Sequence, residues 1–436
     1  MLPRPYNHLA LISLLAVCAA SMIARPASAQ QPDHAATIQR LLPRAMQIET
    51  LHGEGDDWSH AYLRSEIIVE LARLAVITGD RPTILATLEA LLNFEKVFVE
   101  QEPDSFQLSY LQAVRCLLLA ALGEGEQASE LARQIVYLSS RAEAFNYLAC
   151  FALDQGDVPA YTRLSLEADR LFELSLRADA LKDEDDRLYV EYFAWPLLHE
   201  RMRRVVDLDR HPDPAGELAR WAEVYGGLPL EDGARAECLA YISNGFALIG
   251  DEVRARELLK LSWLDLAREQ KKVEQAEEFD YPYGTEHALC EIVQVHAVLG
   301  EWEQAAQAIE EIPDIGMACL SRAVLAQIGI RRGNPMVVAV QITRVVDHLV
   351  EIEQAVTSPD HGPWGEGRDE DDQWYGYDSS SLYWDYFDCV RALSQSGQGD
   401  SIRQKLGERQ TELAKLAIEV GVLSGKLQPA PAIEAE

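Results

Sequence analysis

The stretch Ala240–Leu259, AYISNGFALIGDEVRARELL, contains the pattern that decides the fold. Its first half is an apolar helical segment that runs to Ile249 and is followed by Gly250. Glycine has no Cβ atom and readily takes the left-handed conformation that ends many helices. Asp251 can then accept hydrogen bonds from the free N–H groups of a second helix. The small Ala255 would let that helix pack back on the first, so the stretch predicts a helical hairpin.

The same glycine turn recurs along the chain. It occurs at Gly79-Asp80, Gly123-Glu124, Gly156-Asp157, Gly250-Asp251, Gly300-Glu301 and Gly333-Asn334. These glycines are 33 to 50 residues apart, except for one interval of 94. That interval predicts a hidden hairpin with helices near Arg187–Val205 and Pro214–Tyr225, and Gly397 or Gly399 would end one more helix. Helical units repeated every 20–50 residues or so are typical of a solenoid.

Three stretches are the clearest copies of this unit: AALGEGEQASELARQI (Ala120–Ile135), ALIGDEVRARELLKL (Ala247–Leu261) and AVLGEWEQAAQAIEEI (Ala297–Ile312). Alanines recur where the two helices would cross, at Ala120 and Ala128, Ala247 and Ala255, and Ala297 and Ala305. In these features the chain resembles the tetratricopeptide-repeat-like (TPR-like) proteins over most of residues 35–420. The resemblance implies an all-α, right-handed α-solenoid of antiparallel helical hairpins that binds other proteins and carries no catalytic residue. The family's usual proline after the second helix is absent from most units, which leaves a related hairpin solenoid open.

The first 29 residues have the layout of a secretory signal. Arg4 supplies the positive start, Leu9–Ala20 is the apolar region, and Ala27–Ala29 is a small-residue cleavage site. Cys18 would suit a lipoprotein signal, but Val17 stands where a small residue is needed. We therefore expect cleavage after Ala29 and export to a periplasm or beyond. The expected remainder is a helical-repeat domain over 30–427 and a disordered tail over 428–436, without a membrane span.

The formal net charge of −32 restricts the kinds of partner that the protein can bind. Such a negative surface repels phosphate backbones, which disfavours nucleic acid, and it tolerates cationic partners. His287 and His296 share one segment, but their spacing of nine residues places them on opposite faces of a helix. The sequence also lacks zinc-type cysteine pairs, a phosphate loop and a Gly-x-Ser-x-Gly elbow. No metal, cofactor or catalytic residue is predicted.

Seven cysteines occur, and all but Cys18 lie beyond the leader. They are Cys116, Cys150, Cys238, Cys290, Cys319 and Cys389. An even number in an exported protein is compatible with disulfides. Most of them, however, stand singly within apolar helical stretches, where free cysteine packs as a small hydrophobe. We expect buried thiols, with one bridge between neighbouring helices as the alternative.

Four stretches that combine acids with aromatic residues interrupt the repeats: Gly53–Tyr62, Lys182–Trp195, Glu277–Gly284 and, the longest, Asp360–Phe387. Exposed tyrosine and tryptophan are common anchors of interfaces. The predicted partner-binding residues are Trp364, Asp369, Glu370, Asp371, Asp372, Trp374, Tyr375, Tyr377, Asp378, Tyr281 and Tyr283. The alternative is that these aromatics pack between repeats while the acids cap helices. A calcium loop that begins at Asp371 would need its closing glutamate at Leu382, so calcium binding is not predicted.

The leading interpretation is a non-enzymatic scaffold that holds a protein or peptide, possibly a basic one. The main alternative is a polysaccharide-acting enzyme on a helical toroid, with Trp364, Trp374, Tyr377 and Asp378 supplying sugar platforms and a carboxylate. A closed ring with a deep central cleft would favour the enzyme, and an open arc would favour the scaffold. A structural piece of an envelope assembly is the third alternative.

Overall fold

The structure, a computed structural model, is all-helical. It describes residues 31–48, 57–101, 105–177, 194–207, 209–275, 285–357, 379–407, 409 and 411–428. These residues form 18 α-helices and a π-helical turn at Arg203–Asp207, and they contain no β-strand. The predicted all-α class is confirmed, while the expected signal segment (1–29) and, apart from Gln428, the expected tail (428–436) lie outside the described residues. No described helix combines the length and apolar character that crossing a membrane requires.

The helices are numbered in chain order. They are α1 Gln31–Ala45, α2 Asp57–Thr78, α3 Arg81–Gln101, α4 Phe106–Ala121, α5 Gly125–Gln134, α6 Leu138–Asp154, α7 Val158–Arg177, α8 Ala194–Met202, α9 Pro214–Gly227, α10 Asp232–Leu248, α11 Glu252–Gln275, α12 Thr285–Val298, α13 Trp302–Glu310, α14 Ile315–Arg331, α15 Pro335–Thr357, α16 Ser379–Gln395, α17 Gly399–Leu406 and α18 Glu412–Leu427.

A left-handed glycine follows seven of the even-numbered helices, as the turn pattern predicts. The glycines are Gly79, Gly123, Gly156, Gly250, Gly300, Gly333 and Gly397, with φ between 66° and 89°. After α10, the Gly250 N–H donates to the Ala247 carbonyl (3.1 Å) and the Asp251 N–H to that of Phe246 (2.9 Å). This pair of bonds satisfies carbonyls that the end of the helix would otherwise leave free. The Asp251 side chain then caps α11 by accepting from the Arg254 N–H (3.2 Å).

The two helices predicted in the 94-residue interval are present as α8 and α9. The turn between them has no glycine, and Asp209 takes the positive φ of 47° instead. Aspartate tolerates this region better than most residues because its short polar side chain bonds locally. The Arg210 N–H donates to the Arg204 carbonyl (2.9 Å) across the turn. A glycine search misses this hairpin because aspartate replaces glycine in its turn.

The even-numbered helices form a continuous series in which each contacts the next, from α2 to α18. The alanines predicted at helix crossings are buried, and Ala128, Ala255, Ala297 and Ala305 are fully so. The large apolar side chains that are exposed lie on odd-numbered helices or in the turn after α5. They are Leu85, Val99, Val136, Tyr137, Leu166, Leu174, Val253, Leu261, Leu264, Met336 and Val340. The even-numbered helices are therefore the inner helices and the odd-numbered ones the outer helices.

The series of inner helices closes on itself, because α18 contacts both α1 and α2. Arg44 Nη1 lies 2.6 Å from Glu419 Oε1, and Arg40 Nη2 lies 2.7 Å from Glu419 Oε2. On the inner side, the Trp384 indole N–H donates to Glu66 Oε2 (2.9 Å) and joins α16 to α2. The first and last helices thus complete a closed ring, called the helix ring below.

Replacing Glu419 by glutamine should destabilise the protein by about 1 kcal/mol at pH 7. Burial alone would raise the pKa of Glu419, but Arg44 and Arg40 hold it below its ordinary value. A lowered pKa gives stability that is present above the unfolded-state pKa and is lost as the pH falls. Urea unfolding of both proteins at pH 7 and pH 3 measures this, and the difference should be smaller at pH 3. An equal difference at both pH values would contradict an ionic role.

All six described cysteines are buried free thiols, as the sequence predicts.

Candidate functional site

The predicted partner-binding residues lie outside the described residues. Trp364 to Asp378 belong to the segment 358–378, and Tyr281 and Tyr283 to 276–284. The stretch Asp360–Phe387 is part helix, because α16 begins at Ser379. The described residues of this stretch that are buried in the core are Leu382, Tyr383, Tyr386 and Phe387. For this end of the stretch, packing between helices is the correct interpretation.

A polar cluster that the sequence does not predict joins α2, α4 and α6. It consists of Arg73, Tyr110, Glu143 and Tyr147 and is called the Glu143 cluster. The Tyr147 hydroxyl donates to Glu143 Oε1 (2.7 Å), and Arg73 Nη2 hydrogen-bonds the same hydroxyl and lies 3.5 Å from that of Tyr110. Arg73 Nη2 is also 3.7 Å from Glu143 Oε1. Arg73 on α2 thus reaches past α4 to α6, so the cluster joins three successive inner helices.

Burial in the cluster is uneven. The Glu143 side chain is 2% exposed, whereas the Arg73 side chain is 25% exposed. Glu143 Oε2 is buried and, within the described structure, has no hydrogen-bond partner. A buried oxygen without a partner is uncommon in folded proteins, and it is a place where a ligand or water can bind. The guanidinium of Arg73 also lies over the Tyr147 ring, 5.5 Å from its centroid.

Two further polar groups lie on α8, the next inner helix. His199 Nδ1 and the Tyr241 hydroxyl are 3.0 Å apart, and Glu200 Oε2 lies 2.6 Å from Arg204 Nη1. Burial lowers the pKa of His199 to about 3, so its imidazole is neutral at pH 7. Burial alone would raise the pKa of Glu200, but Arg204 and Arg73 hold it well below its ordinary value. Glu200 is therefore a fixed negative charge beside a neutral histidine.

Glu143 differs from Glu200, because its pKa is raised and not lowered. Burial raises the pKa of its carboxyl from 4.5 to about 7, although Arg73 and the Tyr147 hydrogen bond lower it. A carboxyl that titrates near neutral pH can both give and take a proton there. On α10, burial and then the nearby Glu291 raise the pKa of Glu237 well above its ordinary value. The arrangement of Glu143, Tyr147 and Arg73 can hold a proton and can stabilise a negative charge.

Replacing Glu143 by glutamine should flatten the pH dependence of stability. A carboxyl with a raised pKa stabilises the folded state below its unfolded-state pKa and loses that contribution as the pH rises toward 7. The wild-type protein should therefore lose about 3 kcal/mol between pH 4.5 and pH 8 that the variant keeps. Guanidinium unfolding at both pH values measures this. An equal loss of unfolding free energy between pH 4.5 and pH 8 in the two proteins would contradict it.

One sequence signal could have found the cluster. The stretch SSRAEAFNYLACFALD places Glu143 and Tyr147 four residues apart inside a segment that is rich in apolar residues. Residues at that spacing meet on one face of a helix. The partner from α2, Arg73, is 74 residues from Tyr147 and gives no local signal.

Within the described residues, no group of three or more histidine, cysteine or acidic side chains is arranged to hold a metal ion. Comparison with family models, with curated proteins and with solved structures finds no match to this chain.

Proposed function

We propose that the chain is an exported, non-enzymatic TPR-like scaffold that captures a protein or peptide partner at one end of the helix ring. In this proposal the chain is a right-handed solenoid of antiparallel hairpins, wound far enough for its two ends to meet. Because the ring is closed, this proposal does not place the partner in an open concave groove along the inner helices. Capture then depends on the segments that connect the hairpins.

One observation carries the proposal: four of the five longest connections between helices lead from an outer to an inner helix. They are 46–56, 178–193, 276–284 and 358–378, before α2, α8, α12 and α16. The connections from inner to outer helices are short turns, apart from the one after α8. In antiparallel hairpins the short turns share one end, so the four long connections leave from the other. The acidic and aromatic residues are concentrated in those connections.

The composition of the segment 358–378 suits a basic or amphipathic partner segment. Asp369, Glu370, Asp371 and Asp372 supply four adjacent carboxylates, and Trp364 and Trp374 flank them. Complementary charge steers association and selects the partner, whereas buried aromatic anchors supply most of the affinity.

Reversing the charge at Asp369–Asp372 to four lysines should reduce partner capture at least tenfold and leave the unfolding midpoint unchanged. The matched control makes the same charge change at Glu89, Glu126, Glu257 and Glu303, which are exposed on outer helices. The measurement is affinity capture from the native envelope fraction, with the co-purifying proteins quantified by mass spectrometry. Equal capture by wild type and the Asp369–Asp372 variant would show that segment 358–378 does not bind the partner. An equal loss of capture in both variants would show that the change in net charge reduces binding.

Closure of the helix ring favours a second candidate function, an enzyme that acts on polysaccharide. Glu143, which titrates near pH 7 beside Arg73 and Tyr147, would serve as its acid or base. The assay is the release of new chain ends from a panel of neutral and acidic polysaccharides. The enzyme hypothesis expects release by wild type and its loss in Glu143→Gln with the fold unchanged. No release from the panel by wild type would leave the scaffold proposal standing.

A further inference from the structure

Two of the buried cysteines lie against each other on neighbouring inner helices. Cys319 is on α14 and Cys389 is on α16, and these helices are in contact. Their sulfur atoms are 3.5 Å apart, and neither residue is exposed. Cys290 differs, because its sulfur accepts a hydrogen bond from the Ser321 hydroxyl (2.9 Å).

We propose that Cys319 and Cys389 form a disulfide when the chain folds under oxidising conditions. A disulfide needs sulfur atoms about 2 Å apart, so the two sulfurs must approach by roughly 1.5 Å. Small shifts of α14 and α16 and rotation of the two side chains can supply that approach. This inference is independent of the proposed function, since it depends only on the two helices.

The bond forms by exchange with a small-molecule disulfide such as oxidised glutathione. The thiolate of one cysteine attacks the small disulfide, forms a mixed disulfide and releases one small thiol. The second thiolate attacks the cysteine sulfur of the mixed disulfide and releases the other small thiol. The two cysteines lose two protons and two electrons, and the small disulfide is reduced to two thiols.

The exchange has to take place during folding. Contact with Cys319 and burial raise the pKa of Cys389 well above its ordinary value, so Cys389 holds almost no thiolate in the folded protein. While the chain folds, the thiols are still accessible and ionise more easily. Once formed, the bridge would join residues that are 70 positions apart. The loop that the bridge encloses contains α15 and the whole segment 358–378. The bridge therefore restricts the conformations that this part of the chain can take when the protein is unfolded.

The test refolds the chain from denaturant in a buffer of oxidised and reduced glutathione, followed by alkylation and peptide mapping. We expect one cross-linked peptide pair that contains Cys319 and Cys389, and a thermal midpoint on the order of 5 °C higher than that of the reduced protein. Cys319→Ala should abolish the cross-link, and the matched control Cys238→Ala should keep it. Alkylation of both Cys319 and Cys389 in the refolded wild-type chain, or a cross-link between other cysteines, would overturn the proposal. The wild-type map decides this even where a variant fails to fold.

Discussion

Replacing Asp169 by alanine should destabilise the protein by about 3–5 kcal/mol, because it leaves a buried arginine without its counter-ion. Arg201 on α8 is fully buried, and its Nη1 lies 2.5 Å from Asp169 Oδ1 on α7. Its Nε donates to Asn146 Oδ1 (2.5 Å) on α6. Asp169 Oδ2 also lies 2.7 Å from Arg220 Nη1 on α9. One carboxylate thus joins the irregular hairpin α8–α9 to the regular ones beside it.

Guanidinium unfolding measures the change, with Asp400→Ala as the matched control. Asp400 pairs with Lys426, but its side chain is 80% exposed, so its loss should change stability by less than about 1 kcal/mol. The double replacement Asp169→Leu with Arg201→Met should recover much of the stability, because it removes both buried charges together. Equal effects of the Asp169 and Asp400 replacements would show that the buried pair does not hold α8 in place.

Replacing Gly425 by alanine should also destabilise the protein strongly, by about 1–3 kcal/mol or more. Gly425 lies on α18, where α18 packs closely on α16. A Cβ atom there would lie 2.4 Å from the Ser394 Cβ and 2.7 Å from the Arg391 carbonyl oxygen. Because backbone atoms cannot rotate away, α18 would have to move off α16. Gly421 on the same helix faces the same limit, with the Phe387 carbonyl oxygen 2.7 Å from its Cβ position.

Gly227→Ala is the control, since a Cβ at Gly227 in α9 meets nothing within 4 Å. Alanine is a better helix former than glycine, so this change should be neutral or slightly stabilising. Thermal unfolding of the three proteins separates a steric effect from a general effect of glycine replacement. Similar midpoints for Gly425→Ala and Gly227→Ala would show that α18 can move without loss.

The helices and turns of the fold could be predicted because their causes are local. Gly250 and Asp251 act within five residues, through the bonds that end α10 and begin α11. The closure of the helix ring could not be predicted in this way, since Arg44 and Glu419 are 375 residues apart. Charged residues are common on helix surfaces, so no local sequence pattern identifies which two of them form such a pair. The turn between α8 and α9 also has a local cause, but aspartate (Asp209) takes the positive φ there that glycine takes in the other turns.

The same reasoning applies to the candidate site. Acidic and aromatic residues at 358–378 are visible in the sequence, and their role stays a prediction. The Glu143 cluster depends on Arg73 reaching α6 from α2, which is a property of the assembled helices. The raised pKa of Glu143 comes from its burial in the assembled helices, which residue type alone does not predict.

The meeting of α1 with α18 also constrains biosynthesis. In a linear array of repeats, each unit needs only its neighbours, so the first units can reach their final packing while later ones are still being made. Here α1 leaves the ribosome first, but Arg40 and Arg44 meet Glu419 only after nearly the whole chain has been translated. Helix α1 therefore remains incompletely packed until α18 has been synthesised and has folded against it.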